Sequence, residues 1–198
     1  GVLLKCLSKK HDVVGIDKSE NMLAIAKNKS PEFTFLQGDA RTFALDKKFD
    51  VILMMSAVLC YQHTNDEVLE NIKNVRNHLN DNGLFIFDVW HGPTVLMEKP
   101  TQRLKEIEKD GINLLRLVQP LLIPESNRCV CEYRWWLSKD GKIESQTEYH
   151  TIRYFFPMEM KLFLRVAGFE LLRIGQPGTL YRDIDQSSWH AMYICQIL

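Results

Sequence analysis

Short, continuous apolar runs alternate with apolar residues at helical spacing through the first half of the chain. Val2, Leu3, Leu4 and Leu7 have the spacing of a helix's inner stripe. The β-branched run Val13 to Ile16 suits a strand buried on both faces. Ser19 follows as an N-cap, and Met22, Ile25 and Ala26 mark the buried face of the helix it opens. Ser30-Pro31 stops that helix, and Phe33 to Leu36 is the next strand. Val51 to Met55 reads as another buried strand. Thr64-Asn-Asp-Glu67 is a capping box before Val68, Ile72, Val75 and Leu79, which share a helical face. Asn82-Gly83 is expected to end this helix, and Leu84 to Val89 is one more apolar strand.

The texture changes after Pro93. From about Lys105 to Phe156 the period shortens to two, as where Cys129, Cys131 and Tyr133 alternate with Val130, Glu132 and Arg134. Asp110-Gly111 and Lys139-Asp-Gly-Lys142 are hairpin turn signals, so this part reads as an antiparallel meander. Pro157 opens a helix on which Met158, Leu162 and Val166 share a face, and Gly168 ends it. Phe169 to Ile174 and Trp189 to Ile197 close the chain as strands. The order predicts an α/β fold: a Rossmann-like, doubly wound, mostly parallel sheet, with an antiparallel β insertion between strands five and six.

Composition narrows this picture by exclusion. The 25 acidic residues balance the 25 basic ones, so no basic field is available for a nucleic acid backbone. No apolar run is long enough to cross a membrane. The five cysteines are odd in number and scattered, and the Cys129/Cys131 spacing is not that of a CxxC pair. Reduced thiols in a cytoplasmic protein are the expectation. The histidines lack helical metal-ligand spacing, and no metal is expected.

Candidate chemistry begins at Asp17, the carboxylate just after the strand Val13 to Ile16. Ligands of open α/β sheets bind beyond the carboxyl ends of the strands, and an Asp there can accept two hydrogen bonds from a ribose diol. Asp39, after the next strand, repeats the placement.

An ordered series then carries a family resemblance: Gly1, Val14-Gly-Ile-Asp17-Lys-Ser-Glu-Asn-Met22, Gln37-Gly-Asp39-Ala-Arg41, Phe49 to Met55 and Leu79-Asn-Asp-Asn-Gly83. The chain resembles the class I S-adenosylmethionine-dependent methyltransferases. The β insertion and the ending Tyr149 to Phe169 are similar to small-molecule N-methyltransferases such as the deoxyaminosugar N,N-dimethyltransferases. The resemblance implies S-adenosyl-L-methionine as cofactor and S-adenosyl-L-homocysteine as product. It implies that Gly1 closes a glycine turn beside the methionyl part, and that Asp17, with Lys18 next to it, binds the ribose. Met22 would pack on adenine, Gly38, Asp39 and Ala40 would meet its edge, and Met55 and Ser56 would border the transferring methyl. It divides the chain into a cofactor-binding core over 1–93, a substrate-side insertion over 94–156, and a completing helix and strands over 157–198. It also leads us to expect a strand and a Gly-x-Gly-x turn ahead of residue 1.

Methyl transfer needs alignment and dryness more than covalent help, but an amine must be neutral to react. Groups expected at the mouth of the sheet are Tyr61, His63, His91, Tyr149, His150, Arg153 and Tyr181. Of these, His91, Tyr61 and His150 are the catalytic candidates, His91 because it directly follows a strand. The acceptor is expected to be a small molecule, with neither nucleic acid nor membrane as partner, and the meander is a candidate homodimer surface. Two other readings stand beside this one. A nicotinamide-dependent oxidoreductase would share Asp17 but offers no Tyr-x-x-x-Lys or comparable hydride site here, and a catalytically inactive binding homologue would share the fold.

Overall fold

The computed structural model describes residues 11–109, 111–179 and 182–198. The first predicted helix, Gly1 and Tyr181 therefore lie outside the described residues, as does half of the Asp110-Gly111 turn.

Two parallel strands, β1 (Val14–Asp17) and β2 (Thr34–Gln37), pair in register from Val14–Thr34 to Asp17–Gln37. Between them runs α1 (Glu20–Lys29), capped by Ser19, whose hydroxyl accepts from the Met22 amide. Only Leu23 of α1 is buried, while Met22 and Ile25 are 54% and 47% exposed. The expected inner face of this helix is thus wrong. Helical period places a stripe on a cylinder, and a two-stranded sheet covers too little of it to hide Met22.

A second sheet has the order β3 (Phe49–Met54), β4 (Leu79–Trp90), β10 (His190–Ile197), β9 (Phe169–Gly175). β3 and β4 are parallel, and β10 runs antiparallel to both of its neighbours. β3 is an edge strand of this sheet, so Val51 stays 44% exposed despite its apolar run. Helix α2 (Asn65–Asn77) links β3 to β4 and starts at the expected Thr64–Glu67 capping box. It ends earlier than Asn82-Gly83, at Asn77, with His78 as C-cap. Leu79 belongs instead to β4, paired with Phe49, and Asn82 takes a positive φ where the register slips between Phe49 and Val51. The apolar spacing of Leu79 fits helix and strand alike, and pairing with β3 decides.

Val68, Ile72 and Val75 of α2 pack with Phe85, Phe87, Val89 and Tyr193 into one fully buried core. Rings stack through it, Phe85 on Phe87 at 4.5 Å and Phe87 on Tyr193 at 5.1 Å. Helix α4 (Pro157–Val166) closes the core with Met160, Phe163 and Leu164. Met158, Leu162 and Val166, the stripe visible in the sequence, are 75%, 62% and 56% exposed. Two apolar stripes share this helix, and packing selects the other one. Gly168 ends it with φ +83, where its missing Cβ leaves room for Arg76.

Between β4 and α4 lie a short helix, α3 (Gly92–Glu98), and a wholly antiparallel sheet in the order β5 (Arg103–Lys109), β6 (Ile112–Ile123), β7 (Arg128–Lys139), β8 (Lys142–Arg153). Its inner end is Cys129, Cys131 and Ile152, all buried. Cys60, Cys129, Cys131 and Cys195 are free thiols. No helix among the described residues is long and apolar enough to cross a membrane.

Candidate active site

The carboxyl end of β3 leads into a strained turn. Ser56 and Ala57 both take positive φ, 68° and 59°, a conformation that L-residues other than Asn and Asp rarely hold. What holds them is Asp88, near the carboxyl end of β4. Its buried carboxylate accepts the amides of Ser56 (2.5 Å) and Ala57 (3.1 Å), satisfying two donors that the turn would otherwise orphan. The same carboxylate accepts His190 Nδ1 at 2.7 Å. Because the carboxylate is the acceptor, Nδ1 carries a proton, and Nε2 is the nitrogen turned away from Asp88. Nε2 has no partner among the described residues.

Above this turn lies an open cleft of about 420 Å³ lined by Met55, Ser56, Ala57, Tyr61, Asp88, Trp90, Tyr133, Ile152, Pro177 and His190. Its floor is thus the carboxyl ends of β3 and β4. One wall is the antiparallel sheet, and the other comes from the approach to β10.

Tyr61, from the 3-10 turn Val58–Tyr61, bonds its hydroxyl to His150 Nδ1 at 3.1 Å. Burial raises the Tyr61 pKa, so the phenol stays protonated and can donate but does not serve as a base near neutrality. His150 Nε2 is 3.5 Å from Glu148 Oε2, and its ring meets Tyr133 edge-on at 5.1 Å. His150 therefore stands behind the lining residues.

His91, expected to face the cleft because it follows a strand, turns elsewhere. It is buried, its Nδ1 lies 3.1 Å from Thr94 Oγ1 and 3.2 Å from the Ser188 carbonyl, and it does not line the cleft. Burial lowers its pKa, keeping it neutral as a packed, hydrogen-bonded residue. Position after a strand end does not decide which way a side chain turns. His63 is likewise structural, bonded to the Thr151 carbonyl and, through its amide, to Glu67. Arg153 is buried against Phe155 and Phe163 and is held by Asn65 and Glu159. Tyr149 is 67% exposed.

The remaining expected residues gather at the carboxyl ends of β1 and β2. Asp17 uses Oδ1 to accept the Ser19 amide at 2.9 Å, and its Oδ2 has no partner among the described residues. Gly38 donates its amide to the Asp17 carbonyl, and a Cβ on it would crowd Phe43 and Ile16 at 3.0 and 3.1 Å. Asp39 is more committed. Oδ1 accepts the Arg41 amide and Nε, and Oδ2 accepts Nη2, with Lys18 Nζ at 3.4 Å. Arg41 holds the Asp39 carboxyl well below the usual range. Ala40 is half-buried under this loop, its carbonyl accepting from Asn74. None of Asp17, Lys18, Met22, Gly38, Asp39 and Ala40 lines the cleft, whereas Met55 and Ser56 do.

Sequence reasoning missed Asp88 and His190. The signal for Asp88 was present: a carboxylate inside the apolar run Leu84 to Val89 must find partners or unfold the strand. His190 had no local signal, because it meets Asp88 only across the β4–β10 pairing.

Residues 1–83 match the family model described as a methyltransferase domain. Over 170 residues, 84% of this chain and 70% of the relative, the sequence is 26% identical to a dTDP-3-amino-3,4,6-trideoxy-α-D-glucopyranose N,N-dimethyltransferase of Streptomyces venezuelae. It is 32% identical over 156 residues to a dTDP-4-amino-2,3,4,6-tetradeoxy-D-glucose N,N-dimethyltransferase of Saccharopolyspora spinosa, covering 79% of this chain and 61% of that one. A crystal structure of an S-adenosylmethionine-dependent methyltransferase from Clostridium acetobutylicum superposes with a TM-score of 0.85 at 16% identity, over 99% of this chain and 79% of that one. That likeness carries the Rossmann-like α/β fold.

Proposed function

We propose a reaction for a chain that belongs to the S-adenosylmethionine-dependent methyltransferase family: transfer of a methyl group to a small-molecule amine held in the cleft above Ser56 and Ala57. The donor is S-adenosylmethionine, which when bound supplies a methyl group already activated on a sulfonium. The observation that carries the reading is the Asp88–His190 pair at the floor of the cleft. An imidazole nitrogen facing this cleft is the group suited to take a proton from an amine held there.

The chain's own residues divide the work. Asp17 Oδ2, uncommitted at the strand end, suits a ribose hydroxyl, and the exposed Met22 suits the flat face of adenine. The lone pairs of Asp39 are filled by Arg41 and Lys18. Lys18, whose side chain is 79% exposed, is the partner free to step aside for an adenine amino group. Gly38 and Ala40 form the edge of that seat, and Gly1 would complete the methionyl side. Asp88 fixes the Ser56–Ala57 turn that, with Met55, forms the border between cofactor and acceptor. His190 Nε2 takes the proton the amine gives up, and Tyr61, kept protonated, donates a hydrogen bond to His150 or to the acceptor. Residues 1–93 act as the cofactor core, 94–156 as the acceptor-side insertion and 157–198 as the element that completes the sheet. The relatives act on amino sugars, and a deoxyamino sugar is the acceptor class we infer here.

Isothermal titration with S-adenosylhomocysteine tests the donor, with micromolar binding expected and absence of heat at millimolar ligand refuting it. A methylation assay over amine and hydroxyl acceptors, read by S-adenosylhomocysteine release, tests the rest: turnover confined to hydroxyl acceptors would overturn the assignment to nitrogen.

A further inference from the structure

The face of the antiparallel sheet that supplies Tyr133 to the cleft continues outward to Trp135 and Arg116. Tyr133 and Trp135 are two apart on β7 and so share a face, their rings stacked at 6.3 Å. Arg116 is the cross-strand partner of Trp135 on β6. Its guanidinium carbon lies 5.5 Å from the Trp135 ring and 5.9 Å from the Tyr133 ring. Among the described residues it has no ion pair and no hydrogen bond, and its Nε is buried without a partner. Trp135 Nε1 is a second buried donor without a partner on the same face. Buried donors are rarely left unmatched, and a guanidinium least of all. Lys105 stands opposite Arg116 on β5 and adds positive charge to the row. On β8 this face carries Gln146 opposite Trp135, flanked by Glu144 and by Glu148, which Gln146 and His150 already engage.

We propose that Arg116 and Trp135 form an anion subsite at the outer end of the cleft, which holds a phosphate or carboxylate carried by the methyl acceptor. The part of this statement concerning the acceptor rests on the methyl-transfer reading; the anion site itself does not. Guanidinium forks match both anions, and the indole N–H supplies a further donor with no partner among the described residues. An acceptor reaching from His190 to Arg116 would lie along Tyr133 and be selected by its distal charge.

Calorimetric titration of the full chain with inorganic pyrophosphate and, separately, with malonate tests this, each repeated for Arg116→Gln and Trp135→Phe. At least one anion should bind the unaltered chain, at least tenfold more weakly to Arg116→Gln and several-fold more weakly to Trp135→Phe. The stronger of the two anions identifies phosphate or carboxylate as the source. Absence of binding by both anions at millimolar concentration overturns the proposal, as does equal binding to all three chains. Trp135→Phe keeps the stacked ring, so it decides the matter if Arg116→Gln melts early. S-adenosylhomocysteine is titrated in parallel: its failure removes the methyl-transfer reading while the anion result still stands or falls alone.

Discussion

His190 and Asp88 show how one buried carboxylate can serve a backbone and a side chain together. The turn at Ser56 and Ala57 holds two residues in the left-handed region, at a cost of order 1 kcal/mol each. Two amide hydrogen bonds to an ionised acceptor offset it, each contributing roughly 1.5–3 kcal/mol. His190 then inherits a fixed ring and a fixed tautomer. Replacing it by Gln (His190→Gln) should lower kcat about a hundredfold, the scale of general-base catalysis, while S-adenosylhomocysteine affinity stays within about twofold. The loss should shrink as pH rises, because more of the amine then arrives neutral and the base matters less. A structural role would leave the deficit flat with pH, and that profile would refute the assignment.

At the level of the element, strand and helix order was readable from apolar spacing, as was the Val68/Ile72/Val75 face of α2, but the facing of α1 and α4 was not. Ser19, the Thr64–Glu67 box and Gly168 were each visible because a cap is a local hydrogen-bond problem with a local answer. On α4 the sequence offers two stripes, Met158/Leu162/Val166 and Met160/Phe163/Leu164, and only the second meets the Phe85–Phe169 rings. The choice depends on a sheet assembled from β4, β10 and β9, hence on contacts that no window of the helix contains. Leu164→Ala should therefore cost about 2–5 kcal/mol in urea unfolding, while Leu162→Ala should stay within about 0.5 kcal/mol. Equal losses would mean that both faces are covered. The site divides in the same way. Asp17 and Asp39 follow strands and could be named by position, and Met55 and Ser56 by the family resemblance, whereas Asp88–His190 and Arg116–Trp135 are cross-strand pairs and needed the register.

In the whole molecule, the expected cofactor residues stand mainly on one sheet and the cleft on another, so something has to keep the two in register. β1 pairs with β2, and β3 pairs with β4, but no hydrogen bond joins the two sheets directly among the described residues. The joint is the loop after β2, latched onto α2 at three places. Arg41 reaches from Asp39 to Glu67 at 3.1 Å, Asn74 donates to the carbonyls of Ala40 and Phe43, and His78 Nε2 accepts the Leu45 amide. Glu67 is also the capping residue of α2, its other oxygen accepting the amides of His63 and Thr64. Arg41 thus ties the carboxylate expected at the adenine edge to the start of the helix that follows the cleft wall. Two opposing effects follow from removing it by Arg41→Met. Asp39 would regain lone pairs for the adenine amino group, which strengthens binding, and would lose its fixed orientation and its loop anchor, which weakens it. Arg41→Met keeps the backbone amide on Asp39 Oδ1 and removes the two guanidinium donors, Nε and Nη2, that fix the carboxylate's plane, so orientation dominates, and S-adenosylhomocysteine affinity should fall about tenfold or more. The melting temperature should move little, because ion pairs this close to the surface, still partly open to solvent, add little to stability. Pyrophosphate binding should not change, since Arg116 and Trp135 lie on a different sheet. A gain in S-adenosylhomocysteine affinity would show that Arg41 competes with adenine for Asp39. A parallel loss of pyrophosphate binding would show that the loop positions the entire cleft.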